Sequence, residues 1–334
     1  MRTKLTLLVL LFGFPLLTQA QPDDVAMYMP IPPEEIPQPQ AAESSIEQII
    51  AEQTIAEQIA EEAIVEETLD WEPLYTKAPK LSSAIALIYD EKAQRPLFSK
   101  NADAIVPIAS ITKLMTAMVL LDAQLPMDEE IRLTADDLDR HKGTHSRMRP
   151  GMMLQRGELL KLALMASENR AAAALARTYP GGTAAIVAMM NAKARDLGMW
   201  NTRFHDATGL QSANVSSARD LVKMLVAAQQ YDLIHMYSTA SSHLVESDGF
   251  RPLRFGNTNP LVKNASWDIG VSKTGYISEA GRCLVMKATI AQRPVIIVLL
   301  DSWGKRTRVG DANRIKKWIE NSTTRAREMA RRTS

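Results

Sequence analysis

Apolar runs recur along this chain in two distinct rhythms. Residues 82–90 (SSAIALIYD) and 95–101 (RPLFSKN) are short, β-branched and apolar around a polar break, which predicts a β-hairpin. CLVMKATI (283–290) and PVIIVLLD (294–301), separated only by Ala291, Gln292 and Arg293, predict a second hairpin. Between them the rhythm is helical: a long apolar stretch at 108–123, a polar segment at 126–155, and the paired helices QRGELLKLALMAS and ENRAAAALART. A mixed region runs to about residue 265, and Ile315, Trp318 and Ile319 then mark a closing helix with an apolar stripe. Strands at both ends and helices between them predict an α+β fold, in which N- and C-terminal strands complete one antiparallel sheet under a mostly helical subdomain.

The first 78 residues follow neither rhythm. Residues 1–20 carry Arg2 and Lys4, an apolar run from Leu5 to Leu17, and small residues after it. That is the layout of a secretory signal peptide, with an apolar run short for a bilayer span. Residues 21–78 read as an acidic linker, first proline-rich and extended, then rich in helix formers, with Ser44 and Glu47 spaced as a capping box. Its isoleucines at 46, 50, 55, 59 and 64 drift around a 3.6-residue helix, so a solvated helix or spacer is expected in place of a coiled coil. A folded domain at 79–320 and a basic tail at 321–334 complete the expected layout.

Charge sharpens that division. Residues 21–76 hold 14 acidic residues and no lysine or arginine, whereas from Lys77 onward 37 basic and 24 acidic residues leave a net of +13. The near-neutral whole therefore conceals a basic body, suited to an anionic polymer, to anionic lipid or to the chain's own acidic segment. Nucleic acid is not an expected partner, since no recognition-helix or aromatic-platform pattern is present. Cys283 is the sole cysteine, so an intramolecular disulfide is ruled out; a buried structural thiol is expected.

The candidate chemistry starts at PIASITKLMT (107–116), where Ser110 and Lys113 stand three apart in an apolar helix. Spacing of i and i+3 puts both on one helix face, and a lysine whose pKa is lowered by burial or by another cation can take a serine's proton. Pro107 is read as the helix start, which places Ser110 in the first turn. Alone, S-x-x-K is a weak signal. Ser167-Glu168-Asn169 follows an apolar helix, however, and Lys273-Thr274-Gly275 stands directly before an expected strand, 57 and then 106 residues further on. The triple S-x-x-K, S-D-N, K-T-G is the signature of penicillin-interacting serine enzymes, and Glu168 stands here where that pattern has aspartate. A Ser-His-Asp mechanism lacks its G-x-S-x-G elbow, and the five histidines, His141 and His145 among them, are read as structural or surface residues without a third metal ligand.

With ASITKLMTAMV, MASENRAAAALA, FHDATGL (204–210), NTNPLV (257–262) and SKTGYISEAGRCLVM, the chain resembles the low-molecular-mass penicillin-binding proteins over about residues 80–320, and among them the D-alanyl-D-alanine endopeptidases of the penicillin-binding protein 7 type. The resemblance implies a β-lactamase/transpeptidase-like fold and a site free of metal and cofactor. It implies Ser110 as nucleophile, Lys113 as its base and Ser167 as a proton relay polarised by Lys273. Asn169, Lys273, Thr274 and Gly275 are then substrate-binding, and the N–H groups of Ser110 and Tyr276 form the oxyanion hole. Glu168 is expected to point away from substrate, and Arg282 to pair with a carboxylate. The implied substrate is the cross-linked stem peptide of peptidoglycan, with β-lactams as covalent inhibitors, in a periplasmic monomer whose acidic segment meets other cell-wall enzymes. A D-alanyl-D-alanine carboxypeptidase and a peptidoglycan-binding scaffold remain the alternatives; a β-lactamase would need a further carboxylate that spacing does not identify.

Overall fold

The computed structural model describes residues 51–55 and 76–333. The chain divides into two units, 1–64 and 65–334. In the first, residues 51–55 are helical and exposed; the expected signal peptide, the Ser44 capping box and most of the linker lie outside the described residues.

In the second unit, both expected hairpins form. β1 (Ser83–Asp90) pairs with β2 (Arg95–Lys100), and β10 (Gly281–Ile290) pairs with β11 (Arg293–Ser302). Together with β9 (Asp268–Ile277) they make a five-stranded antiparallel sheet ordered β2-β1-β11-β10-β9. Chain ends thus meet in the middle, where β1 lies against β11 with Leu87 opposite Val298 and Ile88 opposite Ile297. Because side chains alternate across a strand, these neighbours serve opposite faces.

One face is covered by the closing helix, α7 (Thr307–Thr333). Ile315, Trp318 and Ile319 pack there on Ile88, Leu284, Met286, Ile297 and Leu299. Asp311 pins the helix to β1, accepting from Ser82 N (3.0 Å), Ser83 N (2.8 Å) and Ser83 Oγ (2.6 Å). The expected tail boundary at residue 320 falls inside α7, which stays helical beyond it with Ser322, Thr323 and Ala326 buried.

The other face carries the helical subdomain: α1 (Thr112–Asp122), α2 (Arg156–Met165), α3 (Asn169–Arg177), α4 (Gly182–Asp196), α5 (Ala218–Ala228) and α6 (Asp232–Ser238). Every residue of α1 from Thr112 to Leu120 is buried, which is why its sequence is apolar apart from Thr112, Lys113 and Thr116. The polar segment 126–155 is laced by a short hairpin, β4 (Glu130–Arg132) with β5 (Met153–Gln155).

Two local expectations are corrected. Pro107 does not open the helix: it lies in β3 (Val106–Pro107), paired with β6 (Val215–Ser216), and Ala109–Ile111 form a separate 3-10 turn before α1. Ala109, at φ +48°, breaks the helix there. Lys273-Thr274-Gly275 do not precede a strand but lie inside β9, at the edge of the sheet.

Candidate active site

The Ala109–Ile111 turn rests against β9. A Cβ on Gly275 would sit 2.9 Å from Ile108 O and 3.2 Å from Ser110 N, so glycine in this strand is needed for the chain itself to approach. On the turn's far side a Cβ on Gly209, at φ +81°, would sit 2.0 Å from Ala109 O. Ser110 is thus clamped between an edge strand and the 206–211 loop, and its N–H lies beside the strand residue that precedes Tyr276.

Lys113 sits in the first turn of α1 at 1% exposure, and its Nζ donates to Ser110 Oγ (2.9 Å), Asn169 Oδ1 (2.7 Å) and Thr208 O (2.5 Å). Three acceptors replace water around the buried nitrogen. Desolvation still dominates, lowering its pKa to about 7 against the opposing pull of Asp206 and Glu168. Such a group is partly neutral at physiological pH and able to accept a proton.

Ser167 joins α2 to α3 at φ +59°, a left-handed position where glycine is usual. A serine here carries backbone strain, and its hydroxyl accepts from Lys273 Nζ at 2.8 Å. Lys273, 1% exposed, also donates to Thr274 O (2.9 Å). Burial, then the nearby Lys113 and Arg308, push its pKa well below the usual lysine value. Thr274 is buried and donates to Thr258 Oγ1 (2.7 Å).

All the sequence-derived side chains therefore converge. Glu168 turns to the 140–150 segment, accepting from Ser146 Oγ (2.7 Å), and burial raises its pKa. Arg282 pairs with no carboxylate among the described residues; its guanidinium stacks on the Tyr276 ring at 4.4 Å. Cys283 is fully buried, with its pKa raised by desolvation to about 11, as suits a structural thiol.

Sequence reasoning missed three contributors. Thr208 offers a carbonyl, which has no side-chain signature. Asp206 builds the loop that holds it, accepting from Thr208 N (2.7 Å), Gly209 N (2.5 Å) and Gln211 N (2.7 Å). Arg308, at the start of α7, donates to Gly275 O (3.3 Å) and reaches the site from the opposite end of the chain. FHDATGL was the one available signal for the first two.

A half-buried serine on a buried lysine, a second serine–lysine pair beside it and an edge strand along both define a serine acyl-transfer enzyme of the penicillin-interacting fold. Comparison with known proteins narrows the class. Residues 73–304 match the model of a peptidase family described as D-alanyl-D-alanine carboxypeptidase, and the chain belongs to that family. It is 49% identical over 251 residues to a D-alanyl-D-alanine endopeptidase of Pseudomonas aeruginosa, covering 74% of this chain and 80% of that one. Among solved structures it resembles the Streptomyces K15 DD-transpeptidase (TM-score 0.67, 26% identity, 73% of this chain and 98% of that one). Penicillin-binding protein D2 of Listeria monocytogenes, in its ampicillin-bound form, is also similar (TM-score 0.62, 27% identity, 73% and 99%).

Proposed function

We propose that this chain is a penicillin-sensitive serine D,D-endopeptidase that hydrolyses D-alanyl to meso-diaminopimelate cross-links in peptidoglycan. The observation that carries the reading is Lys113 Nζ at 2.9 Å from Ser110 Oγ, on a lysine whose pKa burial lowers to about 7. The endopeptidase relative at 49% identity supports the choice of substrate.

In this reading the stem peptide lies along the edge of β9, where an extended chain finds free backbone groups. Ser110 Oγ attacks the D-alanyl carbonyl carbon while its proton passes to neutral Lys113. The N–H groups of Ser110 and Tyr276 receive the oxyanion. As the tetrahedral intermediate collapses, the C–N bond breaks and the leaving amine takes the proton that Lys113 gives up, passed on through Ser167 with Lys273 holding that hydroxyl polarised, and Lys113 is neutral again. Water then attacks the ester, giving a proton to Lys113, which returns it to Ser110 Oγ as the ester bond breaks. Lys273 and Thr274 attract the carboxylate beside the leaving amine, and Asn169 positions both Lys113 and the substrate amide.

The same reading has residues 1–20 deliver the enzyme to the periplasm, residues 21–78 serve as a linker that meets other cell-wall enzymes, and the 79–320 domain act as a monomer. β-Lactams acylate Ser110 because their strained amide copies the D-alanyl-D-alanine backbone.

Mass spectrometry of products tests it, using residues 21–334 with cross-linked muropeptide dimers and pentapeptide monomers beside a Ser110→Ala control. Dimers become monomers only with the serine intact. Loss of one alanine from pentapeptides alone makes the chain a carboxypeptidase, and no product from either makes it a scaffold.

A further inference from the structure

Two cavities lie side by side over the 140–150 segment and share His145 and Ser146. The smaller, about 130 Å³, opens on the site and is lined by Ser167 and Asn169 together with the carboxylates of Asp137, Asp139 and Glu168. Its larger neighbour, about 560 Å³, has Phe250 and Met152 in its lining together with three arginines, Arg147, Arg149 and Arg251. No carboxylate lines the larger cleft; Glu246 and Asp248, in the segment leading to it, stay outside.

These cations are not used by the fold as ion-pair partners. Arg149 and Arg251 are exposed and take part in no ion pair among the described residues. Arg147 is held in place, its guanidinium stacked 4.4 Å above the Phe255 ring and donating to Arg254 O (2.6 Å). Ser146 is anchored to Glu168 across the shared wall, so the cleft is tied to the motif that carries Ser167.

We propose that this arginine-lined cleft binds the free carboxylates of the leaving stem peptide, the strand whose amine is set free when the cross-link is cut. The inference rests on the endopeptidase reading. In that mechanism the leaving amine sits at Ser167, and the cleft lies beyond Ser167 on the side of the 140–150 segment. A leaving D-alanine is one residue, and its carboxylate stays at Lys273 and Thr274. A leaving stem peptide continues past it and carries further carboxylates, on its glutamyl residue and at its own C-terminus. Planar guanidinium groups match a carboxylate with two parallel hydrogen bonds, and the volume is that of a peptide-sized site. The cleft therefore favours a cross-linked dimer over a pentapeptide monomer.

The test is a binding measurement on the otherwise intact chain carrying Ser110→Ala, which cannot turn its ligand over. Dissociation constants are taken by calorimetry for the cross-linked dimer and for the pentapeptide monomer. With Arg149→Gln and Arg251→Gln added, the preference for dimer over monomer, the ratio of the two constants, falls about tenfold, the size expected of two solvent-exposed charge pairs. Arg149→Glu lowers it further, and a dimer amidated only at the glutamyl and C-terminal carboxylates of its leaving strand binds the parent no better than the free dimer binds the double glutamine variant. A ratio equal to the parent's overturns the assignment, whether both ligands weaken or neither does. The endopeptidase reading fails separately, if the Ser110-intact chain leaves dimers uncut while the arginine-dependent preference for them persists.

Discussion

On the face of the sheet covered by α7, Ile88, Leu284, Met286, Ile297 and Leu299 close on Ile315, Trp318 and Ile319 in an apolar contact. The edge of the same sheet on its other side meets two lysines at 1% exposure and non-glycine residues at φ +48° (Ala109) and φ +59° (Ser167). Both regions are densely packed, yet they spend burial on opposite ends. Around α7 it stabilises the fold, because the area leaving water is apolar but for one buried indole N–H, that of Trp318, which has no hydrogen-bond partner. Around Ser110 it works against the fold, desolvating cations and holding strained turns, and the return is a lysine with a pKa near neutrality.

Breaking the site side has the largest expected effect. Lys113→Ala removes the proposed base and slows acylation of Ser110 by penicillin about 10²–10⁴-fold, measured by stopped-flow labelling, with the circular dichroism spectrum retained. Gly209→Ala drives a Cβ to 2.0 Å from Ala109 O and displaces the Ser110 turn. Acylation falls on the order of 10²-fold, since displacements near 1 Å are enough to spoil a reacting geometry. On the α7 side the balance reverses. Ile319→Ala loses roughly 2–5 kcal/mol of stability in urea unfolding, while acylation well below the melting temperature stays within about twofold.

The pH dependence of stability carries the same contrast. Lys113 has a folded pKa of about 7 against 10.5 for the free side chain. The unfolded chain therefore binds more protons between those values, and stability rises with pH across that window. In Lys113→Met this part of the slope disappears and the protein is more stable at pH 7, as unfolding midpoints from pH 6.5 to 10 will read out.

Much of this division was legible in the sequence. The two hairpins and the stripe at Ile315, Trp318 and Ile319 declare themselves because a strand buried on both faces, or a helix laid on one, leaves a simple apolar pattern. Ser110, Lys113, Ser167, Asn169 and Lys273, which the structure brings together, stood out because three motifs occur in order. What the pattern hid lay in the backbone. The helix start was misplaced because the turn at Ala109 depends on the strand it leans against, and Lys273-Thr274-Gly275 was placed ahead of a strand when it lies within one. Here Gly275 marks a close approach from residues more than 160 positions earlier in the sequence. Thr208 and Arg308 escaped for related reasons: one acts through a carbonyl, the other reaches the site from α7.

The mechanism turns on Ser110 giving its proton to a neutral Lys113, a step that the pH dependence of acylation reads out. The second-order rate constant for labelling of Ser110 by a fluorescent penicillin is measured from pH 5 to 9. It should rise about tenfold per pH unit below about 7 and level off above it, since the proton must leave Lys113 before it can take one from the serine. A constant that is flat across this range, or that falls as pH rises through 7, would contradict the assignment of Lys113 as the base.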